Sequence, residues 1–236
     1  MKDGRNQISL VDYLNNYPLI FKTTDDTVVE GNEICAGNSE SVIFVPNEIY
    51  RIDWDDFQTN IRCEVGRTTK GKKSIQAALL DIFNERGKYT YLLYDHGSGE
   101  IADYITISED DSSTEITLFH VKAMKGKRYN SDMSDIYEVT QQAIKSTIWL
   151  KSKGTLLEKI RSRRRTGNCV MKKGEFNNLE KALKQNNLFT ARIVIVQPAI
   201  SKSTNFPSKY QEVLAATRYY IKNSGRVTAL EIWGSN

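Results

Sequence analysis

The stretch YDHGSGEIADYITISEDDSSTEITLFHVKA, from Tyr94 to Ala123, decides how this chain is read. A glycine-rich turn leads into an alternating strand, EIADYITIS, that carries Asp103. The turn former DDSS follows, then a second strand, EITLFHVKA, with His120 and Lys122 two positions apart. Side chains alternate across a strand with a period of two, so His120 and Lys122 share a face with Leu118 and Glu115 lies opposite. Asp103 falls on the side of Ile105 and Ile107, the more apolar face of its strand. A carboxylate there needs a cation or strong donors, because burying a bare charge is expensive.

Outward from this pair, SIQAALLDIFNERG places Ile75, Leu79, Ile82 and Phe83 at helical spacing and stops at Gly87. KYTYLLYD reads as a strand, MSDIYEVTQQAIKSTIWLKS as a long helix, and GTLLEKIRSRRR and NNLEKALKQ as two more helices. TARIVIVQPAI is a continuous apolar run, the pattern of a strand buried on both faces. PSKYQEVLAATRYYIKNSG has proline near its start and glycine after its end, a helix signature, and RVTALEIW is a last strand. The central order is helix, strand, strand, strand, helix, strand. It predicts an α/β fold, a mixed sheet with helices on its faces. Upstream, LVDYLNNY reads as a short helix ended by Pro18, and LIFKTTDDTVVEGNEI as a hairpin turning at Asp25 and Asp26. Residues 35–72 are irregular and polar, with apolar patches such as SVIFV. The expected division is a small N-terminal subdomain over 1–72 and the main domain over 73–236.

With 236 residues, the chain suffices for one large domain or one domain with an appendage. No apolar run reaches the roughly 20 residues that span a membrane. MKDGRNQISL lacks the apolar region of a signal peptide, so the expected location is cytoplasmic, with no membrane partner. Cys35, Cys63 and Cys169 are odd in number and form no CxxC pair, which argues against a disulfide framework or a zinc site. There is no GxxxxGK[ST] phosphate loop and no GxSxG elbow. Only His96 and His120 are present, which excludes a multi-histidine centre.

The net charge of +4 is unevenly spread. Between Lys151 and Lys173 nine Lys and Arg face the single acid Glu158, a surplus of eight. RTTKGKK adds Arg67, Lys70, Lys72 and Lys73, and a third cluster holds Lys122, Lys125, Lys127 and Arg128. Segregated positive charge is the footprint of a polyanion partner.

The residue types of the two strands suit metal-assisted phosphodiester hydrolysis. A hard divalent cation takes carboxylate, carbonyl and water oxygens. Asp103 offers the carboxylate and the Val121 carbonyl a second oxygen. Lys122 could orient or deprotonate the attacking water, or stabilise charge on the phosphate. From spacing alone, an Asp103–Lys122 ion pair stitching the strands is an equal reading, and His120 reads as a structural histidine at least as readily as a ligand. On the long helix, Glu138, Gln142 and Lys145 share one face, which points to the site or to water.

Taken together, DHGSGEIADYITI, LFHVKA, SDIYEVTQQAIKS and IVIVQPAISK resemble the PD-(D/E)xK nuclease superfamily. More specifically, they are similar to a nuclease-like domain at the C-terminal end of bacterial superfamily 2 helicases of the restriction or defence type. The resemblance implies a restriction-endonuclease-like core and a metal-dependent DNA endonuclease. Its partners would be DNA and a superfamily 2 helicase in the same polypeptide or complex. It implies catalytic positions at Asp103, His120, Lys122 and Gln142. It also implies Mg²⁺ or Mn²⁺ held by Asp103, by the Val121 carbonyl and by Glu100, with Glu138 as the other candidate carboxylate. Nucleic-acid contacts would come from Lys70, Lys72, Lys73, Lys125, Arg161, Arg163, Arg164 and Arg165. The superfamily usually has Glu, Asp or Gln two residues before the lysine, and this chain has His120. An imidazole brings no negative charge and suits Mn²⁺ better than Mg²⁺. Two other functions fit the same residues: a non-catalytic nucleic-acid-binding module, and an interaction module that docks a helicase.

Overall fold

The computed structural model describes residues 2–3, 6–7, 9–16, 19–22, 28–30, 33–35, 44–66, 71–110, 112–185, 187–202, 205–224 and 226–236. The chain divides into two compact units, 1–41 and 42–236. In the first, a helix over Leu10–Asn16 accompanies an antiparallel sheet of Ile20–Lys22, Val28–Glu30 and Glu33–Cys35, and Lys2–Asp3 pairs with Asn6–Gln7. Ile20 lies opposite Glu30 and Lys22 opposite Val28, so the two arms of the expected hairpin pair. Its turn at Asp25 and Asp26 lies outside the described residues, as does Pro18.

The second unit is a mixed α/β structure. Its strands are β1 (Ile49–Arg51), β2 (Tyr91–Asp95), β3 (Tyr104–Glu109), β4 (Ser113–Val121), β5 (Cys169–Lys173), β6 (Leu188–Ser201) and β7 (Val227–Ser235). Its helices are α1 (Ile75–Arg86), α2 (Met133–Ser146), α3 (Lys153–Arg165), α4 (Phe176–Lys184) and α5 (Ser208–Lys222). One seven-stranded sheet runs in the order β5-β2-β3-β4-β6-β7-β1. The β5, β2, β3 and β4 pairings are antiparallel, and β4, β6, β7 and β1 are parallel. Hairpin turns can join only antiparallel neighbours, so α2 through α4 and α5 lie in the connections to the parallel strands.

Alternation along the strands builds two cores. Ile105, Leu118, Ile193 and Ile195 face one way, onto Ile136, Val139 and Ala143 of α2 and onto Tyr210 and Leu214 of α5. Tyr104, Phe119, Val194 and Val196 face the other way, onto Ile75, Leu79 and Phe83 of α1. β6 is buried on both faces from Ile193 to Ser201, where IVIV lies, and alternates between exposed and buried residues before that. Ser74 caps α1 by accepting from the Ala77 N–H at 3.3 Å, and Asp132 caps α2 from the Ser134 N–H at 2.9 Å.

The expected boundary at residue 72 gives way to one at 41. The reason is β1, which extends the sheet beside β7 with Ile49 opposite Ile232. Phe44, Ile52 and Trp54 are buried in the two cores, so the polar segment that holds them belongs to the main unit. The second strand without a sequence signal is β5. It sits at a sheet edge with Val170 exposed and two lysines at its end. Close packing at the β6–β7 seam yields a prediction. A Cβ on Gly234 would overlap the Ile200 carbonyl oxygen and lie 3.0 Å from Ile49 Cγ2. Gly234→Ala is expected to lower stability by about 1–3 kcal/mol, read by urea denaturation.

Candidate active site

The site forms where β3 and β4 part. Their ladder ends at the pair Tyr104 and Phe119. Beyond it the Val121 N–H donates to Asp103 Oδ2 at 2.8 Å, so the carboxylate takes the place of a strand partner. Asp103 Oδ1 accepts from Gln76 Nε2 at 2.6 Å. Gln76, on the first turn of α1, is itself held, with its Oε1 accepting from the Tyr94 hydroxyl at 3.0 Å. The strand-stitching ion pair is not what forms. Lys122 instead bonds Glu64 at 3.1 Å and lies 3.5 Å from Glu138 of α2. Val121 contributes its N–H to Asp103 here.

His96, Glu100 and Asp103 bring one ligand atom each within 4.8 Å of one another. Burial is the main force lifting the Asp103 carboxyl, and Glu100 and Glu64 add repulsion against the pull of the Val121 N–H and Lys122; the result is about 8. Burial also raises Glu100, against the opposing charge of Lys122. Burial thus disfavours the charged forms of both carboxyls, and a divalent ion would favour them. Two carboxylates and an imidazole are a donor set for Mn²⁺ or Mg²⁺. Each Asp103 oxygen accepts one hydrogen bond and keeps a lone pair for an ion. Glu100 lies beside Asp103 in this group, and the imidazole near them is His96 rather than His120.

His120, on β4, is buried against α2. The Ser146 hydroxyl donates to the Ala143 carbonyl at 2.8 Å, so its oxygen must accept from His120 Nε2 at 2.9 Å. Burial, reinforced by the Lys122 charge, drives the ring down to about 3 and keeps it neutral. Its bare Nδ1 has no partner among the described residues. Gln142 donates to Glu100 Oε1 at 3.3 Å, and its own Oε1 is buried without a partner among the described residues. For Lys122, burial pulls the ammonium down, and Glu64 and Glu138 more than offset it, so it stays charged. Glu138 pairs with Lys122 and Lys125, a use of the helix stripe in the site rather than in water.

The basic residues divide. Lys70 lies outside the described residues. Lys72 is 3.7 Å from Asp55, Lys73 pairs with Asp81, and Lys125 with Glu138. Arg161 is shared by Glu158 and Glu180, and Arg164 lies 4.1 Å from the Phe176 ring centroid. Arg165 is exposed. Arg163 needs correcting: it is buried against Asp95 at 2.8 Å and donates to the carbonyls of His96, Gly97 and Ser98, so it holds the 96–100 turn and offers nothing to a nucleic acid. Beside the cluster, Lys172 lies 5.5 Å from the Tyr94 ring centroid, and Tyr94 stacks on His96 at 5.8 Å.

Four participants went unread in the sequence: Gln76, Glu64, Tyr94 and His96. Gln76 had a signal, a polar residue beside Ile75 on a buried helix face. Glu64 had none, because its segment has no periodicity. No family model, no curated protein and no solved structure matches this chain.

Proposed function

We propose that this chain is a divalent-metal-dependent DNA endonuclease with a restriction-endonuclease-like core of the PD-(D/E)xK type. The observation that carries the reading is the over-acidic pocket at the parting of β3 and β4. There Asp103 and Glu100 both have raised carboxyl pKa values beside the charged Lys122. Burial is the main cause of both shifts, and Lys122, which opposes them, is already engaged by Glu64 and Glu138, so a divalent ion would favour the charged carboxylates. The order α1, β2, β3, β4, α2, β6, with α3, β5 and α4 inserted before β6, supports the same reading.

In this reading Asp103, Glu100 and His96 hold the ion, which supplies a polarised water and charge neutralisation at the phosphate. The Gln76 and Val121 donors fix the Asp103 carboxylate in one orientation. Lys122 acts as an ammonium that orients the water and meets charge on the phosphate. Its raised pKa argues against a role as base. Lys172 and Arg165 would contact flanking phosphates, which sets position rather than sequence preference. The helicase-linked restriction or defence setting rests on the resemblance alone.

Incubation of the purified chain with supercoiled plasmid and Mg²⁺ or Mn²⁺ tests this. Wild type is expected to nick the plasmid, EDTA to stop it, and Lys122→Ala to slow it about a hundredfold. Equal cleavage by both proteins rejects the assignment. One observation favours the second reading, a non-catalytic DNA-binding module: His120 is neutral and turned to Ser146. That reading predicts salt-sensitive DNA binding with no cleavage under any divalent ion.

A further inference from the structure

An open groove of about 540 Å³ lies beside the segment that joins β4 to α2. Arg62, Lys127, Arg128 and Tyr129 line it together with Ile61 and Met124, and its described lining residues include no carboxylate. Lys127, Arg128 and Tyr129 are exposed. Lys127 and Arg128 form no ion pair among the described residues, whereas Lys125 is held by Glu138. The loop that presents them is fixed from within. Asp135 accepts from the N–H groups of Lys125 at 2.8 Å and of Gly126 at 3.1 Å. Asn130, in the left-handed region at φ 53°, accepts from the Ser201 N–H at 2.9 Å and donates to the Ser201 carbonyl at 2.8 Å. The Arg62 guanidinium lies 3.4 Å from the Lys125 carbonyl and 3.5 Å from that of Lys127. A cationic surface held in place before binding gives up little freedom when it meets an anion.

We propose that this groove binds a single-stranded segment of nucleic acid, with phosphates on Arg62, Lys127 and Arg128 and a base on Tyr129. Neighbouring cations without acidic partners favour a polyanion. The exposed Tyr129 ring favours bases, and a base offers its face to an aromatic side chain only when it is not already stacked inside a duplex. An acidic peptide matches the cations alone. Arg62 and Tyr129 also line an adjoining cavity of about 410 Å³, so the surface continues from one cavity to the next and suits a chain rather than a compact ligand. The groove adjoins the site already described. The Met124 N–H donates to the Ile61 carbonyl at 2.9 Å, and Lys122 and Glu64, from the same two segments, pair at 3.1 Å. A strand in the groove therefore lies next to Lys122. The meaning of that placement rests on the nuclease reading, and the binding itself does not.

Fluorescence anisotropy of a labelled oligothymidylate and of a mixed-sequence duplex of the same length, in EDTA, tests this without cleavage. Lys127→Ala combined with Arg128→Ala is expected to weaken oligothymidylate binding at least about tenfold. It should also lower the salt slope by about 1.4, since each single-strand phosphate contact contributes about 0.7. Tyr129→Ala is expected to weaken oligothymidylate binding about tenfold while leaving its salt slope and the duplex affinity unchanged. All three side chains are exposed, so the variants are expected to fold like wild type, as urea denaturation would read. Folded variants that bind oligothymidylate like wild type overturn the groove, as does no binding at micromolar protein and low salt. A Tyr129→Ala that weakens duplex and single strand alike overturns it too, as does polyglutamate that displaces the label as well as unlabelled oligothymidylate does. Weakened binding by the variants, with no plasmid cleavage by wild type, supports the groove and rejects the nuclease reading. Plasmid cleavage by wild type, with variants that bind unchanged, rejects the groove alone.

Discussion

Asp103→Asn is expected to cut plasmid cleavage by roughly a thousandfold, about 4 kcal/mol of barrier, while making the metal-free protein more stable at pH 8. The substitution fits its surroundings. An asparagine Oδ1 keeps the Val121 N–H bond. Its Nδ2 faces Gln76, whose amide can turn to present oxygen, and the Tyr94 hydroxyl then accepts in place of donating. What disappears is a buried charge beside Glu100 and Glu64, and with it the strongest candidate ligand for the ion.

The pH dependence separates this account from a merely structural aspartate. Burial, with Glu100 and Glu64, raises the Asp103 carboxyl from 3.8 to about 8. Between those values the folded state holds more protons than the unfolded one, so this group makes stability fall as pH rises. At 1.36 kcal/mol per unit the loss has a ceiling of about 6 kcal/mol. Denaturation in EDTA should therefore show Asp103→Asn gaining on wild type steadily from pH 4 to pH 8. Mn²⁺ should reverse the order by stabilising wild type and leaving Asp103→Asn unchanged, because only a folded state that binds the ion gains from it. Equal Mn²⁺ shifts in both proteins would remove Asp103 from the metal centre.

The strands and helices of the main unit were legible because they are periodic. α1 shows a regular apolar stripe, and β6 a β-branched apolar run, IVIV, closed by Pro198, the pattern of a strand buried on both faces. The two missed strands fail for physical reasons. β1 has three residues and owes its place to pairing with β7, a contact remote in sequence. β5 is an edge strand, so its outward residues carry no pattern. In the site, Asp103 and Lys122 stood out because charge inside an apolar strand is costly anywhere. Their partners were hidden. Glu64 reaches Lys122 from a loop, and Gln76 reaches Asp103 from a helix whose buried face would accept an apolar residue equally well. Charge counts misled most over the arginines, since a run of like residues says nothing about which one turns inward.

Arg163 is that residue, and Arg163→Ala is expected to cost about 3–5 kcal/mol, whereas Arg165→Ala should stay within about 0.5 kcal/mol. Asp95 is fully buried at the end of β2, and Arg163 Nε donates to its Oδ1 at 2.8 Å while the Ile101 N–H donates to Oδ2 at 2.7 Å. The same guanidinium donates to Ser98 O at 2.6 Å and to His96 O at 2.9 Å, so one side chain neutralises the strand end and shapes the turn. Burial lifts the Asp95 carboxyl, and Ile101 and Arg163 oppose that lift. Without the arginine the opposition weakens and the folded pKa climbs further above the unfolded value. Stability gained from a protonated Asp95 is then present at low pH and lost as pH rises through the folded pKa. Arg163→Ala should thus lose more stability at pH 8 than at pH 5, in urea melts run on both proteins. It should also loosen the turn that carries His96 and Glu100, and so weaken the Mn²⁺-induced stabilisation without touching an ion ligand. A pH-independent loss would mean that Arg163 acts through packing alone, and an unchanged Mn²⁺ shift would separate the turn from the metal centre.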